Sequence, residues 1–373
     1  MIKYLTENIL PFWLEHAIDE EYGGIFTCLD KGGNIYGEEK SVWFQGRALY
    51  IFSYAYNNGL KNEDYLTAAK KIYEFLPMCG DENGRMYFTV TRDGKEIQKR
   101  RYYFSETFAA IGCCEYWLAS GDPQARFLAE KYFDIAYRLY SHLELTTPKF
   151  NPDTAPYDAL SPSMIMLSTA QILRKINYGK YDKIANETIG KILKHNTEYG
   201  LLENIGLNGA FINTPTGRIL NPGHSLEAAW FLMAEGQHKN DASLMSAGKN
   251  IIDISMRLGY RNGGIIAFCD CLDKPATALE WDMQLWWPQC EAMIANRLCH
   301  EIFKEEKYSV WYKKIKEYAF THFADNDSGE WYGYLHYDGT VANTLKGNIF
   351  KGPFHIPRMI LLIDRIENGK TVL

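Results

Sequence analysis

The chain has 373 residues, of which 46% are hydrophobic and 23% are charged, a balance typical of a globular protein with a large buried core. Its net charge of −6 and the lack of a lysine- or arginine-rich block argue against nucleic acid or an anionic membrane as the main partner. No apolar run is long enough to cross a bilayer, and the N-terminal residues lack the order of a signal peptide. We therefore expect a cytoplasmic protein.

In chain order, the sequence repeats one plan about every sixty residues. Five of the six units have a helix with apolar residues at helical spacing, an acidic glycine-containing turn, an alternating aromatic stretch and a second helical run. In the remaining unit the pattern fades, and a Pro-rich loop precedes the helix start at Ser161. The first helices of the units are predicted near residues 2–17, 61–77, 123–141, 180–196, 241–258 and 305–323. The second helical runs are predicted to begin near Trp43, Phe104, Ser161, Asn221, Trp286 and Gly352.

Twelve helices in six pairs can bury their apolar faces by closing into a double ring or by stacking as an open solenoid. We predict the closed ring, an all-α (α/α)6 barrel with short β-hairpins at one mouth. No linker or low-complexity tract divides the chain, so residues 1–373 are expected to form one domain. In a closed ring, the first residues of the six inner helices converge on a single cavity.

Polar residues occur at the predicted starts of all six inner helices. They are Arg47, Ser105, Glu106, Ser161, Ser163, His224, Glu227, Gln289, Glu291, His355 and Arg358. Burying such groups costs free energy unless they are hydrogen bonded or used, so their convergence predicts a ligand site. For Ser161, Ser163 and Gln289 we favour a structural role, as helix caps or satisfied core groups.

His224 and His355 occupy equivalent places in two repeats, and each has an ionic residue three positions later on the same helix face, Glu227 and Arg358 respectively. A single histidine among aromatic residues is more often structural. Two imidazoles that face one cavity could instead take and return a proton on opposite sides of a substrate carbon, since both titrate near neutral pH. The equivalence of the two positions favours this catalytic interpretation.

Metal and phosphate sites have weaker support. His224 and Glu227 could form half of a metal site, but no second pair of this kind and no H-E-x-x-H element occurs, so we predict no metal. Residues 347–352 resemble the start of a phosphate-binding loop, but Pro-Phe follows instead of Lys-Ser/Thr. Eight cysteines lack zinc-site spacing and are expected to be reduced and buried.

Three stretches surround the candidate site residues on the inner helices. They are residues 221–232 (NPGHSLEAAWFL), 280–293 (EWDMQLWWPQCEAM) and 350–358 (FKGPFHIPR). These stretches closely resemble the N-acylglucosamine 2-epimerase family. Shorter matches lie at residues 42–47, 104–106 and 329–335. The resemblance runs nearly end to end and is weakest around residues 140–215, where the repeat also fades.

The resemblance implies an (α/α)6 barrel and an isomerase that interconverts N-acyl-D-glucosamine and N-acyl-D-mannosamine. It makes His224 and His355 the acid/base pair for removal and return of the C2 proton through an enediolate-like intermediate. The expected substrate-binding residues, from the helix starts and the resemblance together, are Arg47, Glu106, Glu227, Glu291 and Arg358. No cofactor is required in such enzymes, although ATP activates mammalian-type members without being consumed, and members are commonly homodimers. The expected partner is a small amino sugar.

Other functions stay open at this stage. A cellobiose 2-epimerase or an aldose–ketose isomerase would use the same fold and the same C2 proton, but the neighbours of His224 and His355 favour the N-acyl enzymes. A glycoside hydrolase would need two carboxylates at a glycosidic bond, which leaves both histidines unexplained. A noncatalytic binding protein is the remaining alternative, since mammalian relatives were also described as renin binders.

Overall fold

A computed structural model describes residues 1–100 and 102–373 of the chain. This described part contains twelve helices, in agreement with the prediction. The first, α1, runs through the segments Ile2–Tyr4, Leu5–Ile9 and Leu10–His16, of which the middle one is a π-helical turn. The others are α2 (Val42–Asn57), α3 (Glu63–Phe75), α4 (Phe104–Ser120), α5 (Pro123–Ser141), α6 (Leu160–Leu173), α7 (Tyr178–Lys194), α8 (Pro222–Lys239), α9 (Ala242–Gly259), α10 (Trp286–Phe303), α11 (Glu306–His322) and α12 (His355–Glu367).

The even-numbered helices form a closed inner ring. Each packs on the next, from α2 to α4 and onward to α12, and α12 returns to α2. The odd-numbered helices lie outside this ring, each on the inner helix that precedes it, with α1 on α12. The predicted (α/α)6 barrel is therefore confirmed, and the open solenoid is excluded.

Local sequence explains where the outer helices begin. The side chains of Asn62, Asp122, Asn177 and Asp241 accept hydrogen bonds from backbone N–H groups in the first turns of α3, α5, α7 and α9. Pro123 follows one of these caps, at a position where a helix needs no N–H donor. The inner helices are apolar on most sides because they lie between the barrel axis and the outer ring.

Two inner helices approach closely at paired glycines. A Cβ atom on Gly46 of α2 would lie 2.5 Å from the carbonyl carbon of Phe108 in α4. A Cβ atom on Gly112 of α4 would lie 2.7 Å from the carbonyl oxygen of Gly46. Glycine at both positions therefore sets the separation of α2 and α4, directly beside Arg47.

Short strands fill the segments between the helices. They are β1 (Cys28–Leu29), β2 (Ile35–Gly37), β3 (Lys40–Ser41), β4 (Thr89–Val90), β5 (Glu96–Gln98), β6 (Tyr157–Ala159), β7 (Asn196–Thr197), β8 (Gly200–Leu201), β9 (Asn204–Gly206), β10 (Ile219–Leu220), β11 (Tyr260–Arg261), β12 (Gly264–Ile265), β13 (Cys269–Asp270), β14 (Met283–Leu285), β15 (Tyr334–His336) and β16 (Val341–Asn343). They lie ahead of the inner helices, as predicted for hairpins at one mouth.

Strands of neighbouring units pair with one another around this mouth. The antiparallel pairs β3 with β4, β6 with β9, β10 with β13 and β14 with β15 each join two consecutive units. An isolated bridge between Leu29 and Gly347 joins the first unit to the sixth. The strands therefore tie together the loops from which the inner helices start.

One continuous cluster of buried apolar side chains extends from Leu5 in α1 to Val372 beyond α12. All eight cysteines are free thiols, and burial raises the pKa of several of them, including Cys113 and Cys114. Within the two described ranges, none of the helices has the length and apolar character needed to cross a membrane.

Candidate active site

The inner helices begin around a cavity of about 470 Å³ at one mouth of the barrel. All six of them contribute lining side chains. Phe108, Ile111 and Met164 make the wall on α4 and α6 largely apolar, whereas most of the charged groups come from α2, α8 and α12. The volume and the mixed lining suit a small organic ligand.

His355, the first residue of α12, is held by Glu291 of α10. Its Nδ1 lies 2.8 Å from Oε1 of Glu291, whose Oε2 accepts a hydrogen bond from the indole N–H of Trp230 at 2.8 Å. A carboxylate can only accept, so Nδ1 carries a proton and Nε2 is left as the basic nitrogen. Burial, together with the positive charges of Arg358 and Arg47, lowers the pKa of His355 well below its ordinary value.

His224, the third residue of α8, has a different carboxylate partner. Its Nδ1 lies 2.9 Å from Oε1 of Glu203, in the segment between β8 and β9. The side chain of Asn221 accepts a hydrogen bond from the backbone N–H of His224 and caps the helix. Burial disfavours the charged ring, but the carboxylates of Glu203, Glu227 and Glu291 outweigh burial and raise the pKa of His224.

Both imidazoles pack against the same indole, that of Trp287 at the start of α10. Its ring centre lies 5.2 Å from that of His224 and 5.7 Å from that of His355. Among the described residues, neither Nε2 atom has a hydrogen-bond partner. The structure thus brings the two predicted histidines together in one cavity, each with one ring nitrogen available to a ligand.

Arg358 is paired with two carboxylates of the site. Its Nη2 donates to Oε1 of Glu227 at 2.6 Å and to Oε1 of Glu291 at 2.7 Å. Burial alone would lower the pKa of this guanidinium, but the two carboxylates outweigh burial and raise it. The negative charge of Glu291 is therefore partly compensated where it meets His355.

Arg47 of α2 is the cation with the fewest partners in the cavity. Its guanidinium carbon lies 4.1 Å from the ring centre of Phe108 and 5.1 Å from that of Phe354. Its Nη1 donates to the carbonyl oxygen of Phe350 at 3.4 Å, and its buried Nε has no partner in the described part of the chain. Burial lowers the pKa of Arg47, and nearby carboxylates offset this only in part. Such a group suits a ligand anion or a developing oxyanion.

One group in the described chain has the spacing of a metal site. Glu227, Glu291 and His355 each place one ligand atom within 4.8 Å of the others. The guanidinium of Arg358, however, already occupies the space between the same two carboxylate oxygens. The arrangement therefore fits an ion pair between side chains better than a divalent cation.

Glu106 stands apart from the other predicted site residues. It is fully buried, and its Oε1 accepts hydrogen bonds from Nε of Arg85 at 2.7 Å and from the backbone N–H of Met86 at 3.0 Å. It holds the hairpin ahead of α4 and does not line the cavity. Gln289 of α10 has a similar structural role. Its side-chain oxygen accepts a hydrogen bond from the backbone N–H of Ile265, and its side-chain nitrogen donates to the carbonyl oxygen of Ile265, both at 2.8 Å.

The serines at the inner helix starts also divide into residues that bond to the surrounding protein and one that lines the cavity. The hydroxyl of Ser163 lies 3.1 Å from that of Tyr140, and Ser105 donates to the carbonyl oxygen of Tyr87 at 2.8 Å. Ser161 lines the cavity instead. The structural role favoured for Ser163 and Gln289 agrees with these contacts.

Two residues that touch the histidines were not among those predicted. Glu203 lies in the stretch where the repeat is weakest and away from any inner helix start, so no pattern pointed to it. Trp287 lies inside the motif at residues 280–293, at the start of α10. Its position next to Pro288, in the first turn of an inner helix, is the signal that could have identified it.

The sequence profile of the N-acylglucosamine 2-epimerase (GlcNAc 2-epimerase) family matches residues 24–354, most of the chain. The chain belongs to this family. The N-acylglucosamine 2-epimerase of Rattus norvegicus is 32% identical over 377 residues, which cover 96% of this chain and 89% of that protein. The cellobiose 2-epimerase of Ruminococcus albus is 28% identical over 390 residues, which cover 96% of this chain and 95% of that protein.

A solved structure supports the same fold. The cellobiose 2-epimerase from Bacillus thermoamylovorans B4167 superposes with a TM-score of 0.84 over 98% of both chains, at 22% identity. At that identity the likeness concerns the fold, and it agrees with the (α/α)6 barrel described above. Membership of the N-acylglucosamine 2-epimerase family confirms the predicted class of enzyme, an isomerase that acts as a carbohydrate epimerase.

Proposed function

We propose that this member of the N-acylglucosamine 2-epimerase family interconverts N-acyl-D-glucosamine and N-acyl-D-mannosamine, with His224 and His355 as acid and base. The observation that carries the proposal is the meeting of both imidazoles in one cavity, each with Nδ1 on a carboxylate and Nε2 free of protein partners in the described chain. A proton acceptor on one face of a carbon and a proton donor on the other can invert its configuration without any movement of the intermediate.

The reaction is a proton transfer next to a carbonyl group. In the open-chain sugar, Nε2 of one imidazole takes the C2 proton, the C2–H electron pair forms the C1–C2 double bond, and negative charge gathers on the C1 oxygen. The other imidazole, as an imidazolium, returns a proton to C2 from the opposite face. The C1 carbonyl re-forms, the configuration at C2 is inverted, and no group is gained or lost.

Arg47 is the cation best placed to stabilise the negative C1 oxygen, because its donors are largely unused. Arg358 is committed to Glu227 and Glu291 and acts mainly by fixing those carboxylates. A fixed cation in a cavity shielded from water stabilises a developing charge strongly, and loss of one such donor lowers kcat by about 10²–10³.

The apolar wall of the cavity favours an acylated sugar. Phe108, Ile111 and Met164 offer carbon surface where an acyl group could lie, whereas a second sugar ring would bring hydroxyl groups that need partners. A cellobiose 2-epimerase or an aldose–ketose isomerase is the second candidate, supported by the identity with the Ruminococcus albus enzyme. A glycoside hydrolase fits less well, since Glu227 and Glu291 share one guanidinium instead of flanking a bond.

No step of this mechanism requires a cofactor, and we propose that ATP, if it acts on this enzyme, is an activator that is not consumed. Protein freed of nucleotide should therefore still epimerise its sugar, and added ATP should change the rate without being hydrolysed. Complete dependence of turnover on ATP hydrolysis, measured as phosphate release, would contradict this part of the proposal.

A substrate panel followed by proton NMR tests the proposed function. N-acetyl-D-mannosamine should be converted faster than D-mannose or cellobiose. The variant His355→Asn should lose this activity, whereas His142→Asn, which changes a 58% exposed ring outside the cavity, should keep it. If cellobiose were converted faster, cellobiose and not the acyl sugar would be the preferred substrate. Release of a monosaccharide from a disaccharide would refute epimerisation.

A further inference from the structure

The two imidazoles of the site lie against carboxylates in different charge surroundings. Glu291, behind His355, is fully buried, shares Oε1 with Arg358 at 2.7 Å and accepts from Trp230 through Oε2. Glu203, behind His224, has the imidazole as its side-chain partner and no cation beside it in the described chain. One imidazole therefore meets a carboxylate that is paired with a cation, and the other meets a carboxylate that has no cation beside it.

The backbone of Glu203 is fixed at the junction of two units. Its N–H donates to the carbonyl oxygen of Ile219 at 3.2 Å, and its carbonyl oxygen accepts from the N–H of Leu160 at 3.0 Å. Ile219 lies in β10, just ahead of α8, and Leu160 is the first residue of α6. The carboxylate, 14% exposed, is thus held in place relative to the helix that carries His224.

Charged groups face His224 from several other elements. They are Glu227 of α8, Glu291 of α10, Arg47 of α2, and His355 and Arg358 of α12, and Glu280, ahead of β14, lines the same cavity. Glu227 and Glu291 are both bonded to Arg358, which offsets part of their combined charge. Glu203 is therefore the carboxylate whose charge acts on His224 without a competing cation.

We propose that Glu203 is a positioning residue that holds His224 as the imidazolium, and so makes His224 the acid and His355 the base of the resting enzyme. The inference rests on the proposed epimerase function for its consequences, but the state of the His224 ring can be measured without substrate.

This assignment has a consequence for turnover. The resting enzyme has the protonation state that is needed to react with one of the two epimers but not with the other. In that direction Nε2 of His355 gains the C2 proton, and Nε2 of His224 gives its proton to the opposite face of C2. The positive charge then lies on His355, so the two imidazoles must exchange protons with solvent before the same epimer can react again.

The variant Glu203→Gln tests the proposal, because it keeps the size of the side chain and removes its charge. Glu198→Gln is the matched control, since Glu198 is exposed in the turn between β7 and β8. The His224 ring, assigned in carbon-13 NMR with a His224→Asn variant, should titrate above about pH 6.5 in the wild type. In Glu203→Gln it should titrate at a pH lower by about 1, and in the control it should not change.

The pH dependence of kcat/KM provides a second test, because a purely structural role of Glu203 would not change it. Glu203→Gln should lose more kcat/KM at pH 8 than at pH 6, by a factor of up to about ten, which is the limit set by a one-unit shift of the His224 titration. Glu203→Asp, which keeps the charge at a greater distance, should fall between the wild type and the Gln variant in both measurements.

An unchanged His224 titration in Glu203→Gln, or an Asp variant that titrates below the Gln variant, would overturn the proposal. If the wild type epimerised no sugar at any pH, the proposed function would fall. A lowered His224 titration in the Gln variant would then still support the role of Glu203.

Discussion

At the scale of single residues, two side chains of the same chemistry acquire opposite properties from their neighbours. Burial and two cations, Arg358 and Arg47, lower the pKa of His355 well below its ordinary value. Burial of His224 is outweighed by Glu203 and further carboxylates, which raise its pKa. Titratable groups whose pKa values are pushed apart in this way can serve as base and acid at one pH.

The pH dependence of kcat/KM should follow from these opposite shifts. We expect a bell whose limbs lie on either side of about pH 6.5, the ordinary pKa of imidazole. The acid limb reports protonation of His355 and lies below that pH, whereas the alkaline limb reports loss of the proton from His224 and lies above it. Initial rates across the pH range measure both limbs, and two limbs on the same side of pH 6.5 would contradict the assignment.

The lowered pKa of His355 also predicts a loss of stability in acid. Below about pH 6.5 the unfolded chain binds a proton on this ring, whereas the folded ring stays neutral until its lower pKa is reached. The free energy of unfolding should therefore fall as the pH decreases through this window. Urea unfolding at pH 5 and pH 7 should show a smaller difference for His355→Gln than for the wild type; equal differences would refute the prediction.

At the scale of elements, the helices could be predicted because their apolar periodicity is local. The range predicted as 123–141 coincides with Pro123–Ser141, for example. The pairing of the strands could not be predicted, since partners such as β10 and β13 are two residues long and lie in different units. Glu203 was missed for the same reason, because contacts between segments far apart in the chain, such as the pairing of β9 with β6, bring it to the mouth.

The close approach of α2 and α4 predicts a large cost for one added methyl group. Gly46→Ala would place a Cβ atom 2.5 Å from the backbone of Phe108, so the helices must separate. We expect a loss of about 1–3 kcal/mol in the free energy of unfolding and a lower kcat, since Arg47 lies on the same turn.

Gly190→Ala is the matched control for this substitution. Gly190 lies in α7, and a Cβ atom there would meet no atom within 4 Å. This variant should be more stable than the wild type by about 0.5–1 kcal/mol, because alanine has the higher helix propensity. Equal stability of Gly46→Ala and the wild type in denaturant unfolding would contradict the packing argument.

At the scale of the whole molecule, closure of the ring turns six separate helix starts into one site. Equivalent positions in the repeats project to one mouth, so the meeting of Arg47, His224 and His355 could be predicted from the sequence. The contacts among such residues could not, because a position at a helix start does not fix the direction of its side chain. Glu106 is turned toward its own hairpin, whereas Arg358 reaches Glu227, 131 positions away.

The ion pairs inside the barrel also predict how the enzyme responds to removal of metal ions. Because Arg358 bonds Glu227 and Glu291 from within the site, we expect no divalent cation to be needed. Dialysis against EDTA should leave kcat and the melting temperature unchanged, with Mg²⁺ or Zn²⁺ added back as the comparison. A loss of activity that returns with a metal would contradict this prediction.

The central claim is that the two imidazoles of one cavity move the proton at C2 of the sugar, and it is tested most directly in heavy water. N-acetyl-D-mannosamine incubated with the enzyme in D₂O should give N-acetyl-D-glucosamine with deuterium at C2, seen by NMR as loss of the H2 signal. His224→Asn and His355→Asn should form no such product. Product that keeps hydrogen at C2, or near-normal labelling by either variant, would contradict the account.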